Sequence, residues 1–280
     1  MSRLSKKNNL LLFVLGIFVA WQLLIVVLIK TGEKYIPSTH SYIYSEGLYR
    51  VNPPEIFTRA NFDGMHYLDI ARKGYGIYQQ AFFPLYPKLI EYLTPLFKGR
   101  NLLAALTISW VSFFLALFLF YKLVKLDFED KIAKRTIFYL LIFPTAFFFS
   151  SVYTESIFLF LVIGSFYFAR TKKWWLAGIL GAFASGTRLV GIFLLPALLI
   201  EWFEQGREGK ETKKDLISLV PIFLIPLGLL SYMNFLAINY NDPLKFIHVQ
   251  SAFAMGRTTD KIILLYQVFW RYLKMIMETR

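Results

Sequence analysis

Residues 10–29 read LLLFVLGIFVAWQLLIVVLI, twenty positions without a charge, preceded by Arg3, Lys6 and Lys7. At about 1.5 Å per residue, a helix of that length covers about 30 Å, the depth of a bilayer's hydrocarbon core. A cleavable signal peptide has a shorter apolar region followed by a small-x-small site. This stretch has neither feature, so it is read as a first membrane span with its N-terminus in the cytoplasm.

The pattern repeats along the chain. Further hydrophobic runs cover 101–121, 136–152, 156–169, 174–185, 189–202, 216–238 and 262–277, which makes eight in all. Apolar residues make up 56% of the 280 positions and charged residues only 18%, with a mean hydropathy of +0.50. Soluble domains carry about 25% charge, so a soluble globular domain is excluded. The fold class is read as an all-α polytopic membrane protein of about eight membrane-embedded helices, forming one multi-pass domain over 1–280.

The net charge of +13 fits nucleic acid by sign, but its distribution points to a lipid bilayer instead. Lys122, Lys125, Lys131, Lys134 and Arg135 fall in one connection, Arg170, Lys172 and Lys173 in the next, and Arg207, Lys210, Lys213 and Lys214 in a third. The connections of opposite parity, 150–155 and 186–188, hold only Arg188 between them. Positive residues stay cytoplasmic, so this alternation sets both the count and the orientation. Run 174–185 has 12 residues, about 18 Å as a helix. Joining it to 189–202 as one kinked span would put the basic 207–214 loop outside, so a short hairpin is preferred, with its tip Gly186-Thr187-Arg188 within the membrane.

About 70 residues, 30–100, separate the first two spans and form a large exoplasmic loop broken by Pro37, Pro53, Pro54, Pro84, Pro87 and Pro95. Segments 55–73 and 83–97 look amphipathic and suit the membrane interface; 82–87 (FFPLYP) is read as an interfacial anchor and helix entry. A second exoplasmic loop covers 239–261. There is no cysteine, so no disulfide or thiolate site exists, and three scattered histidines (His40, His66, His248) suggest no metal cage. No cofactor is expected.

This topology gathers unusual polar residues on the outer side: Asp63, His66, Tyr67, Glu155, Arg188, Asp242, His248, Gln250 and Arg257. Charge near membrane depth is costly and usually faces a cavity on a substrate path. If 61–67 is helical, Asp63, His66 and Tyr67 share a face. Asp63 is then either a catalytic carboxylate or a helix N-cap. Arg188 suits an anion site, with lipid headgroups as the other partner. Glu155 is either the buried partner of a base or a solvated turn residue, and Asp69 and Asp242 also read as solvated loop acids.

Five elements then carry a resemblance. Residues 62–75 (FDGMHYLDIARKGY), 82–87 (FFPLYP), 143–148 (FPTAFF) with 153–156 (YTES), 187–191 (TRLVG), and 241–246 (NDPLKF) with His248 and Gln250 occur in one order. Together they resemble the PIG-V family, the GPI mannosyltransferase 2 proteins and their prokaryotic relatives, over about residues 10–260. Phe62 stands where the family usually has Trp, and the chain ends where relatives continue through further helices, so a C-terminally short version is expected. The resemblance implies a GT-C-type glycosyltransferase that takes a sugar, typically mannose, from a polyprenyl-phosphate carrier on the exoplasmic side. It also implies an acidic catalytic group in the first outer loop, which by position is Asp63. His66, Tyr67, Glu155, Arg188, Asp242, His248, Gln250 and Arg257 are the substrate-binding candidates, with Arg188 on the leaving phosphate and Arg257 or His248 assisting. The acceptor is a lipid, glycan or protein hydroxyl, and a prokaryotic plasma membrane is the expected location. Two other readings remain: a polyprenyl-phosphate transporter, and an inactive or truncated carrier-binding relative.

Overall fold

The computed structural model describes residues 3–36, 52–207, 216–253 and 263–278. Pro37, His40, Lys210, Lys213, Lys214 and Arg257 lie outside the described residues. Among the described residues all regular structure is helical, with no strand. Four helices are long and apolar enough to cross a membrane: Asn9–Tyr35, Asn101–Val124, Leu189–Arg207 and Leu216–Tyr240. A chain with several such helices is a membrane protein, because only a helix satisfies all its own backbone groups in lipid unless a barrel closes.

Helix α1 (Arg3–Tyr35) leaves Leu23, Leu24, Val27 and Leu28 exposed and buries Val14, Trp21 and Ile25 against the bundle. After it come the short α2 (Pro54–Phe57), then α3 (Asp63–Lys73) and α4 (Leu85–Leu93). Helix α5 (Asn101–Val124) is the bundle's centre, with Leu102, Leu106, Phe113 and Leu117 buried. It packs along α7 (Glu155–Arg170).

Run 136–152, expected as one span, is broken. Helix α6 (Asp130–Ile142) ends at Phe143, and Pro144–Ser150 continues as a 3₁₀ turn bent from it by 87°. Pro144 is the cause: its ring disfavours helical backbone at the preceding residue, and it has no N–H to donate. Phe143 is accordingly extended, with φ −63° and ψ 135°. The seven-residue turn faces the core through Phe149, whose ring stacks on Phe113 at 4.6 Å.

Helix α8 (Trp174–Ser185) is the short one. Its small residues bring backbones together: a Cβ added at Gly178 would lie 1.9 Å from the Pro221 carbonyl oxygen. One added at Gly228, in α10 (Ile225–Tyr240), would lie 2.0 Å from that of Ala182. Small-residue packing of this kind is how membrane helices gain dispersion contacts where lipid competes for apolar surface. After Ser185 the chain turns at Gly186–Arg188, and Gly191 folds back against the Ala184 backbone before α9 (Leu194–Arg207).

The eighth run is an amphipathic helix, α12 (Leu265–Glu278), of 14 residues with none buried. At about 21 Å it is shorter than the hydrocarbon core.

The bundle has two chemically distinct ends. At one, Arg170 closing α7 pairs with Asp127 at 2.6 Å and with Glu201 at 3.2 Å. The other end of α7, from its N-cap Thr154, lines one cavity together with residues of α3, the 186–188 turn and α11 (Lys245–His248).

Candidate active site

Asp63 is the first residue of α3, and Phe62, not Asp63, is the N-cap. Its carboxylate therefore sits in the first turn, where the helix dipole favours negative charge. Phe62 has φ +54° and ψ −122°, a backbone state rare for a bulky residue and found where surrounding contacts enforce it. Those contacts are visible: Val152 N–H donates to the Arg59 carbonyl at 2.8 Å, and the Tyr153 hydroxyl to the Asn61 carbonyl at 2.9 Å. Segment 59–64 is thereby laced to 152–153, which brings Asp63 beside the start of α7.

A cavity of about 800 Å³ opens there, its wall including Asp63, Tyr67, Thr154, Thr187, Arg188 and Gln250. Phe82, Phe83, Phe158, Phe246 and Ile247 supply apolar surface. Segment 82–87, read as an anchor and helix entry, does open α4 at Leu85, but Phe82 and Phe83 also form cavity wall. A sugar offers both hydroxyls and apolar C–H faces, so a wall of mixed polar and aromatic groups suits it.

Arg188 Nη1 donates to Glu155 Oε1 at 2.8 Å, and its guanidinium stands over the Phe158 ring at 5.7 Å. Glu155 is therefore a partner of a base, the first of its two readings. Tyr67 is buried, with its hydroxyl bonded to Thr154. Burial, chiefly, pushes its phenol above the ordinary range; the Thr154 hydrogen bond and the Arg188 charge oppose this and the charges of Asp63 and Glu155 add to it, so the phenol stays protonated.

The other candidates lie around this core. His66 turns away from the wall, stacked on Phe82 at 4.8 Å with Nδ1 facing Gln79 Nε2 at 3.4 Å. Asp69 is no free loop acid: Lys73 holds it at 3.1 Å and Gln79 at 3.2 Å. Asp242 accepts from the Leu244 N–H at 3.0 Å and from His248 Nδ1 at 2.8 Å. That pair fixes the turn into α11, whose Phe246 and Ile247 reach the cavity while Asp242 and His248 do not line it. The wall also includes Thr154 and Thr187, small hydroxyls that spacing alone did not mark.

A second cavity of about 620 Å³ shares Asp63 with the first. Ile25, Leu28 and Ile29 of α1, Phe62, and Phe147 and Phe148 of the bent turn form its apolar part. Thr58, Arg59, Asn61, Ser151 and Tyr153 form its polar part. Asp63 thus faces two spaces, one containing Arg188 and the other containing Arg59. Among the described residues no three His, Asp or Glu side chains group as a metal site.

Apolar spanning helices around an end cavity bearing a carboxylate and an arginine define a helical membrane protein with a polar site at one end of its bundle. The family model described as mannosyltransferase (PIG-V) matches residues 9–272, and the chain belongs to that family. The membership supports a glycosyltransferase role acting on a sugar donor and an acceptor. No protein of curated function and no solved structure matches the chain.

Proposed function

We propose that the chain is an inverting GT-C-type mannosyltransferase. It moves mannose from a polyprenyl-phosphate carrier to an acceptor hydroxyl on the exoplasmic side of a prokaryotic plasma membrane. The observation that carries this reading is the shared wall: Asp63 and Arg188 line one cavity, and Asp63 also lines a second.

The donor's phosphate lies by Arg188, whose side chain is 41% exposed and free to meet it on the face away from Glu155. The acceptor hydroxyl comes from the second cavity. Its proton passes to the Asp63 carboxylate as its oxygen attacks the anomeric carbon; the bond from that carbon to the phosphate oxygen breaks, and the electron pair leaves on phosphate. One base suffices for a single displacement with inversion. Charge grows on the leaving phosphate, and Arg188 is the cation that stabilises it. Tyr67 and Gln250 offer hydrogen bonds to the sugar. The outer placement is supported by the basic 122–135 and 170–173 connections at the opposite end of the bundle. Eight embedded helices follow if α7, α8, the bent α6 segment and α12 all enter the bilayer.

The test is transfer of radiolabelled mannose from polyprenyl-phospho-mannose by membranes holding wild type or Asp63→Asn. Label should move to a lipid or glycan product with wild type and fall by at least about 100-fold in the variant, the low end for loss of a general base. Near-normal turnover in the variant removes Asp63 from the chemistry.

A further inference from the structure

Tyr232 is a phenol in the middle of α10, only 1% exposed. A hydroxyl buried in a membrane helix is costly unless an acceptor meets it. Tyr232 finds its acceptors outside its own helix. Its hydroxyl donates to the Gln80 carbonyl at 2.7 Å and stands 3.2 Å from the Phe82 carbonyl, 152 and 150 positions away in the chain. Tyr75, whose ring stacks on Tyr232 at 6.0 Å, donates to the same Phe82 carbonyl at 2.8 Å.

Gln80 and Phe82 flank Ala81, and Ala81, Phe82 and Phe83 are consecutive wall residues of the cavity that holds Asp63 and Arg188. Two phenols therefore grip the backbone on both sides of a wall residue. The Tyr232 ring lies 5.0 Å from Phe83 and 6.1 Å from Phe246, the wall residue supplied by α11. Phe83 and Phe246 in turn meet edge to face at 5.4 Å. Tyr232 stands behind this wall rather than in it.

Tyr232 is itself fixed. One turn earlier, Gly228 packs so closely on α8 that an added Cβ would lie 2.0 Å from the Ala182 carbonyl oxygen. The Leu229 N–H donates to Ser185 Oγ at 3.2 Å, and the next residue, Gly186, accepts the Leu85 N–H at 3.3 Å. Helix α10 thus holds the turn that carries Arg188 and, through Tyr232, the segment that carries Phe82. The charged and the aromatic parts of the wall share one template.

We propose that Tyr232, with Tyr75, is a positioning residue of this cavity. It sets the 80–83 backbone and the Phe83–Phe246 contact in register with Arg188, and so fixes the surface against which the apolar face of a sugar lies. This rests on the reading that the donor's sugar occupies this cavity.

The test uses the full chain in neutral detergent. The chain has no cysteine, so Ala81→Cys places a single thiol on the gripped segment. Its labelling by a maleimide is timed with Tyr232 intact and in Tyr232→Phe, which keeps the ring and removes the hydroxyl. Tyr92→Cys, on the exposed side of α4, is the control. A buried carbonyl left without its donor shifts such an equilibrium by about fivefold or more. Ala81→Cys should therefore label at least about fivefold faster in Tyr232→Phe, and Tyr92→Cys should label at an unchanged rate. Should Tyr232→Phe fail to fold, Tyr75→Phe carries the comparison, with a gain above about twofold expected from one neutral hydrogen bond. Unchanged labelling of Ala81→Cys overturns the proposal, as does an equal gain at Tyr92→Cys, which would mean general loosening.

The sugar is read by protection. Mannosyl phosphocitronellol, a short-chain donor, should slow Ala81→Cys labelling saturably, with half-protection at about fivefold higher concentration or more in Tyr232→Phe. Citronellyl phosphate, the same probe without the sugar, should shift by less. Equal half-protection by the mannosyl probe in the two proteins overturns the positioning role, and so do equal shifts for the two probes. If neither probe protects while Tyr232→Phe still labels faster, the donor reading of the cavity fails and the grip on the 80–82 backbone stands.

Discussion

Arg188 and Glu155 form an ion pair at 2.8 Å in which only one carboxylate oxygen is used; Glu155 Oε2 is enclosed without a hydrogen-bond partner. The pair joins the 186–188 turn to the first residue of α7, two segments separated by 33 positions in the chain. Glu155 therefore sets where the guanidinium points while leaving the rest of its fork at the cavity wall.

Truncating Glu155 should thus act through Arg188. A hydrogen bond to a charged group contributes about 1.5–3 kcal/mol, or roughly a 10- to 150-fold effect. Glu155→Ala should lower kcat/KM for mannose transfer within that range, with the larger share in donor KM. Glu155→Gln, which retains an acceptor, should lose less. Arg188→Ala should be the most damaging of the three. If Glu155→Ala leaves donor KM unchanged, the ion pair serves only to hold the helices.

Tyr67→Phe separates positioning from proton transfer. The hydroxyl is buried and bonded to Thr154, and it stays protonated, so it cannot serve as the base. Its loss should cost about 1 kcal/mol of stability and less than about tenfold in transfer, against the far larger loss expected for Asp63→Asn. Equal losses in the two variants would falsify the division of labour between them.

Much of this was legible in the chain. Glu155 and Arg188 stood out because charges beside long apolar runs are rare, and topology from basic loops grouped them with Asp63. Pairing was not legible, since nothing in spacing says that residue 155 meets residue 188. The 136–152 run misled through hydropathy, which is blind to the backbone: Pro144 bends the segment by 87° without changing its apolar character. Arg59 was invisible for the opposite reason. An arginine in a mixed loop reads as solvated, and only the folded packing over Trp110, at 5.6 Å, encloses it. Phe82 and Phe83 were legible as aromatic but not as cavity wall, because an interfacial anchor and the wall of a cavity draw on the same aromatic residues.

The close approach at Gly178 gives a stability prediction independent of chemistry. Alanine there would place Cβ 1.9 Å from the Pro221 oxygen and 2.5 Å from its carbonyl carbon, both backbone atoms. Backbone cannot rotate out of the way, so the α8 contact must open. Gly178→Ala should destabilise by about 1–3 kcal/mol, the usual cost of overpacking, read as a lowered unfolding midpoint in detergent. Gly206→Ala, where an added Cβ meets nothing within 4 Å, is the control and should leave the midpoint unmoved or slightly raised.

His66 makes the acid side of the stability profile testable. Desolvation lowers its pKa below the ordinary 6.5, and the charges of Asp63 and Asp69 only partly oppose this. The groups facing it include the Phe82 ring and Gln79, with the Asp63 and Asp69 carboxylates near enough to act on its charge. In the unfolded chain the imidazole takes up a proton near pH 6.5, whereas the folded one does so lower, so between those values the unfolded state binds more protons. Stability then rises with pH across that window: the neutral-His66 contribution is whole above about pH 6.5 and is lost as pH falls toward the folded value. His66→Gln keeps a polar side chain and removes the titration. Wild type should lose more of its midpoint between pH 7 and pH 5.5 than His66→Gln does, and the two profiles should run parallel above pH 7. Parallel profiles throughout would mean that folding leaves the His66 imidazole as easily protonated as solvent does, against the burial observed beside Phe82.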